Sequence, residues 1–116
     1  MNREKQQRAP FVEALEAYCR LKMKAYHTPG HKLGQGISTY QEKLFGPALS
    51  RDLGVMYALD DLFQPEGALK EAMELAADLY GAGRTFFSIN GTTACIEAMI
   101  LAVCRDGDEI IITRSA

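Results

Sequence analysis

Apolar residues first recur at helical spacing in Phe11, Leu15, Tyr18 and Cys19, which predicts a helix over 10–24. Pro10 suits its first turn, where a missing N–H costs nothing. The helix has to stop before Tyr26, because Pro29 lacks a donor and holds Thr28 in extended geometry. From 27 to 64 the periodicity is broken by Gly30, Gly34, Gly36, Gly46, Gly54, Pro29 and Pro47, with room for a short helix near 39–45. A stretch this irregular is uncommon in a compact domain unless it is functional or lies against another subunit. Regularity returns at Pro65-Glu66-Gly67, read as a helix start. The stripe Ala68, Leu69, Ala72, Met73, Leu75, Ala76, Leu79 and Tyr80 follows, and Gly81 and Gly83 stop it.

Beyond that helix, Thr85-Phe86-Phe87-Ser88-Ile89 reads as a strand, Asn90-Gly91 as a turn, and Thr92 to Cys104 as a helix apolar nearly all round, hence buried. Asp106-Gly107-Asp108 reads as a second turn and Glu109 to Thr113 as a second strand. Helix, strand, helix, strand implies a parallel α/β layer. Two parallel strands cannot form a sheet covered on both faces. The expected fold is therefore the opening of a larger α/β domain, an incomplete parallel sheet with flanking helices behind an N-terminal helical arm. The expected division is an arm over 1–64 and the start of a large domain over 65–116.

Composition narrows the function classes. The 116 residues are 47% hydrophobic and 24% charged, with a formal net charge of −2, values of an ordinary globular chain. No stretch reaches the roughly 18–20 apolar residues a membrane span needs, and the polar start is not a signal peptide. Cys19, Cys95 and Cys104 are odd in number and far apart, which fits a reduced, cytoplasmic setting better than a disulfide framework or a zinc site. Residues 1–32 hold seven Lys/Arg against three Glu, and the remainder six against twelve Asp/Glu. Without aromatic or glycine interleaving, that basic end reads as a solvated helix face and not a nucleic-acid arm.

Three segments carry candidate chemistry. Gly91, Thr92 and Thr93 open a helix whose first N–H groups have no internal partner, and Gly91 lets an anion approach the backbone. The turn is either a phosphate cradle or a plain capped helix start. Neither GxGxxG nor Gly-Lys-Ser/Thr is present, which favours a small phosphorylated cofactor over a nucleotide. His27, Thr28, His31 and Lys32 form either a loop offering imidazoles and an ammonium to a ligand or an ordinary surface turn. Pro29-Gly30 rules out the helix that paired metal-ligating histidines would need, and no metal site is expected. Asp60 and Asp61 either meet a cationic substrate or serve as turn and capping residues.

The segments AYHTPGHKLGQG, LDDLFQPEGALKEAMELAADLYGA and RTFFSINGTTACIEAMILAVCRDGDEIIITR, in this order, resemble the N-terminal region of the Orn/Lys/Arg decarboxylases. These are pyridoxal-phosphate enzymes of the aspartate-aminotransferase fold (fold type I). The resemblance covers roughly residues 25–114 and is nearest to the branch that begins directly with the HTPGHK segment. It implies that Gly91, Thr92 and Thr93 hold the phosphate of pyridoxal 5′-phosphate. It also implies that the loop of His27, Thr28, His31 and Lys32 lies near an active-site entrance, of its own or a neighbouring subunit. Asp60, placed with that entrance segment, has no firm role. Cys95 stands where relatives are expected to carry a small Gly or Ala.

The resemblance further implies a basic amino-acid substrate and symmetric dimers or larger assemblies. The family's ring-stacking His, ring-nitrogen Asp and Schiff-base Lys are expected after the last residue here. Lys5, Lys22, Lys24, Lys32, Lys43 and Lys70 all lie outside that lysine's expected context. The chain is accordingly expected to be a fragment without catalytic residues or decarboxylase activity of its own, and with weak cofactor binding at most. Two rivals are an interaction module that pairs with a full-length relative, and an aminotransferase, which the HTPGHK segment argues against.

Overall fold

The computed structural model describes residues 3–114, and the chain separates into two compact units, residues 1–85 and 86–116. In the first unit a 3-10 turn at Lys5–Gln7 leads into α1 (Pro10–Arg20). Then come α2 (Thr39–Phe45), a 3-10 turn at Gly46–Arg51, and α3 (Ala68–Tyr80). The second unit contains α4 (Gly91–Val103).

Helix α1 begins at Pro10 as expected but ends at Arg20, short of 24. The chain leaves the helix at Lys22, whose φ is +49°, a value that α-helical hydrogen bonding does not accommodate. Helix α2 occupies the short span expected near 39–45. Ser38 starts it with a reciprocal capping box: the Gln41 N–H donates to Ser38 Oγ, and the Ser38 N–H donates to Gln41 Oε1.

The third helix starts at Ala68, not at Pro65, because its N-terminal N–H groups turn to a carboxylate upstream, described below. Its end is the expected glycine stop. Gly81 adopts φ +64° and the Ala82 N–H donates to the Ala77 carbonyl at 2.9 Å.

Helices α1 and α3 pack together, and α1 also meets the Gly46–Arg51 turn. The buried hydrophobic residues among those described are Tyr18, Leu59, Met73 and Ala77, joined by Pro10 at the start of α1. Polar clips fasten the N-terminal segment outside this core. Arg8 pairs with Glu13 at 2.6 Å and with Glu71 of α3, and the Gln6 amide donates to the Leu75 carbonyl at 2.9 Å. Such exposed pairs set geometry more than stability.

The second unit departs from the sequence expectation in two ways. Among the described residues there is no strand: 85–89 and 109–113 are irregular, and the one isolated bridge joins Met56 and Asp60. The expected parallel sheet is thus not formed, since a parallel strand needs a neighbouring strand for its ladder and these two segments have none. Helix α4 forms over nearly the expected residues, but the expectation that it is buried fails. None of its residues is buried, and Met99, Leu101 and Val103 are exposed. Burial of an all-apolar helix needs elements on every side, and this unit supplies a turn and two irregular segments. The turn after α4 is as expected, with Gly107 at φ +93° and the Asp108 carboxylate accepting from the Arg105 N–H at 2.7 Å.

Candidate functional site

The His27–Lys32 loop folds on itself. The Lys32 N–H donates to the Pro29 carbonyl and the Gly36 N–H to the His31 carbonyl. Lys32, Leu33 and Gly34 follow with φ of +52°, +58° and +83°. The strain of two non-glycine residues in the left-handed region is held by polar contacts around it.

Both imidazoles are engaged. His27 Nδ1 lies 2.7 Å from the Thr28 carbonyl oxygen, and Nε2 lies 3.2 Å from the Tyr18 hydroxyl. His31 Nδ1 accepts the Gly34 N–H at 3.2 Å, and Nε2 lies 3.1 Å from Asp52 Oδ2. The Lys32 ammonium donates to the His27 carbonyl at 2.9 Å. His27, Thr28, His31 and Lys32 are therefore one cluster, with Thr28 exposed and the other three partly covered.

Asp60 plays a part that its sequence context left open. It sits at φ +72°, and its carboxylate gathers five backbone donors. Oδ1 accepts from Asp61 and Glu66 at 2.9 Å each. Oδ2 accepts from Gly67 at 2.8 Å, Leu69 at 2.9 Å and Lys70 at 3.3 Å. Gly67, at the helix boundary, has no side chain with which to cap α3, and Asp60 does so from a distance. Burial pushes the Asp60 pKa up, but the N–H groups of Glu66, Asp61, Gly67 and Lys70 outweigh it and bring it down to about 2. Asp61 closes its own turn by accepting the Phe63 N–H at 2.8 Å. Around these residues a cleft of about 520 Å³ is lined by Tyr57, Asp60, Asp61, Gln64 and Glu66, among others.

In the second unit, Gly91, Thr92 and Thr93 form the first turn of α4. Asn90 precedes it and contributes no side-chain cap. Gly91 has φ +80°, a conformation L side chains rarely adopt, and a Cβ built there would meet no atom within 4 Å. The first N–H groups of α4 thus receive no capping side chain from Asn90. Cys95 is exposed and lies along a shallow apolar cleft with Phe86, Ser88, Ala94, Ala98 and Met99.

Sequence reasoning missed Tyr18 and Asp52, the partners of the two imidazoles. Tyr18 entered only as part of an apolar stripe, and its hydroxyl left no trace in the spacing. Asp52 is an isolated acid in an irregular stretch. For Asp60 the signal existed, an acid shortly before Pro-Glu-Gly and a helix, but not the loop that carries it back to the helix start.

A family model described as Orn/Lys/Arg decarboxylase, major domain, matches residues 9–116. The chain belongs to the Orn/Lys/Arg decarboxylase family. Within this family it is 42% identical over 106 residues to a Bacillus subtilis protein named "Uncharacterized protein YaaO", covering 91% of this chain and 22% of that one. It is 41% identical over 111 residues to the arginine decarboxylase of the same organism, covering 95% and 23%. To the inducible ornithine decarboxylase of Escherichia coli it is 33% identical over 119 residues, covering 97% and 16%. The chain thus spans less than a quarter of the length of these decarboxylases. No solved structure matches it. No helix among the described residues is long and apolar enough to cross a membrane.

Proposed function

We propose that this chain is the N-terminal part of a pyridoxal-phosphate-dependent decarboxylase of a basic amino acid, and that the turn of Gly91, Thr92 and Thr93 grips the cofactor phosphate. The observation that carries the reading is the uncapped start of α4 with Gly91 at φ +80°. Backbone N–H groups and the positive helix end attract the phosphate, the two threonine hydroxyls add donors, and the missing Cβ leaves the approach clear. When bound, pyridoxal phosphate supplies an electron sink for loss of CO2 from the substrate. This chain's share is to fix the phosphate end, so that the rest of the ligand is held in one orientation.

In this reading residues 1–64 are an arm that carries the entrance segment, and 65–116 begin the large domain. His27, Thr28, His31 and Lys32 line the way in, and Asp60 holds the start of α3 beside it. The reactive lysine, the ring-nitrogen acid and the stacking histidine belong to sequence outside these residues, so the 116 residues alone do not turn over arginine, lysine or ornithine. The working protein is a cytoplasmic homo-oligomer whose other elements cover the apolar surface of α4.

A chimera tests this. Residues of this chain replace the matched 111-residue segment of the Bacillus subtilis arginine decarboxylase. The reading predicts that the chimera retains pyridoxal phosphate and releases CO2 from a basic amino acid. A folded chimera that cannot hold the cofactor contradicts it.

A further inference from the structure

The Thr28 carbonyl oxygen cannot donate, so the 2.7 Å contact requires the proton of His27 to sit on Nδ1. In the neutral ring Nε2 is then an acceptor, and the group facing it at 3.2 Å is the Tyr18 hydroxyl, which donates. At His31 the assignment is reversed. The Gly34 N–H occupies Nδ1, so the proton sits on Nε2 and points at Asp52. Two imidazoles four residues apart thus carry opposite tautomers.

The tautomer of His27 is the informative one. A free histidine side chain in water favours Nε2–H, so Nδ1–H has to be imposed by its partners. The Thr28 carbonyl takes that proton, and Tyr18 supplies the donor that suits the bare Nε2, so the two contacts favour the same tautomer. Tyr18 comes from α1, not from the loop, it is 8% exposed, and its ring meets the imidazole edge-on at 61° with centroids 6.4 Å apart. A donor held in the core competes well against water. The same histidine holds Lys32 through its backbone carbonyl at 2.9 Å. The Tyr18 hydroxyl therefore meets a ring whose residue also contacts the Thr28 carbonyl and holds the Lys32 ammonium.

We propose that Tyr18 is a positioning residue that locks His27 as the Nδ1–H tautomer and thereby fixes how the 27–32 loop presents Thr28 and Lys32 to a ligand. The proposal rests on reading that loop as the entrance segment. The consequence for chemistry is specific. With both nitrogens committed, His27 is a strut and not a base, and the groups left to meet a substrate are the Thr28 hydroxyl and the Lys32 ammonium.

The test is long-range ¹⁵N–¹H correlation spectroscopy of the imidazoles in the uniformly labelled 116-residue chain at neutral pH, without added ligand. His27 is expected to show a protonated Nδ1 and a bare Nε2, and His31 the reverse. In Tyr18→Phe, which keeps the ring in the core, the His27 proton is expected to move toward Nε2 while the His31 pattern stays. A merely structural role for Tyr18 would not move the His27 proton alone. An Nε2–H pattern at His27 in the unsubstituted chain, or an unchanged pattern in a folded Tyr18→Phe, overturns the proposal. If circular dichroism shows Tyr18→Phe unfolded, the unsubstituted spectrum decides. No phosphate ligand enters this experiment, so its failure is separate from failure of the α4 turn to bind one.

Discussion

The carboxylate of Asp60 accepts the backbone N–H of Leu69 at 2.9 Å, across a loop that contains a proline and a glycine. Through this and its other contacts one loop acid satisfies donors that the start of α3 would otherwise leave open. Removing it is expected to cost α3 its first turn. Asp60→Ala should destabilise the first unit by about 1–3 kcal/mol, the range for leaving partly covered donors unmatched. Asp60→Asn should cost less, because it retains one acceptor and tolerates positive φ. Thermal unfolding followed by circular dichroism at 222 nm ranks the three chains.

The same carboxylate sets an acid limit. Its folded pKa, about 2, lies below the ordinary 3.8. The unfolded chain therefore binds more protons between these values, and stability rises with pH across that window. The contribution is fully present above pH ~4 and is lost as pH falls toward 2, amounting to about 1–2 kcal/mol after allowance for solvent screening. Acid titration of the helical signal should show Asp60→Asn losing its pH dependence selectively below pH 4.

Arg8 ties the N-terminal segment to α3 by exposed pairs with Glu13 and Glu71. Arg8→Ala should lower the melting temperature slightly, and 1 M salt should bring the two chains together, because screening removes the same attraction. Melting curves at low and high salt measure this.

Helix α4 exposes Ile96, Met99, Leu101 and Val103 with nothing buried against them. A contiguous apolar surface of this kind drives association. The chain should bind the dye ANS and show concentration-dependent mass in sedimentation velocity. Met99→Glu with Leu101→Lys should reduce both.

How far the sequence carried can be followed residue by residue. Helices α1 and α3 were legible because their apolar residues recur at helical spacing, and Pro10 and Gly81 act within a few positions of themselves. Neither expected strand is formed among the described residues, because Phe86, Phe87 and Ile110 to Ile112 have strand composition while a ladder is a property of neighbours. For α4 the apolar character was right and the burial was not, for the same reason. At the candidate site, Gly91 was legible as a position without a Cβ, and its φ of +80° was not. The roles of Tyr18 and Asp52 were not, because each acts on a partner that folding brings near, whereas Asp60 takes the capping role that was one of its two readings.

The claim that Gly91, Thr92 and Thr93 grip a cofactor phosphate is tested most directly by amide chemical shifts of the chain, titrated in parallel with pyridoxal 5′-phosphate and pyridoxal. Pyridoxal reports any imine formed on surface lysines, so the difference between the two isolates the phosphate. The account predicts saturable shifts at 91–93 with the phosphorylated ligand only, abolished in Gly91→Val. Equal shifts with both ligands, or phosphate-dependent shifts confined to other residues, would contradict it.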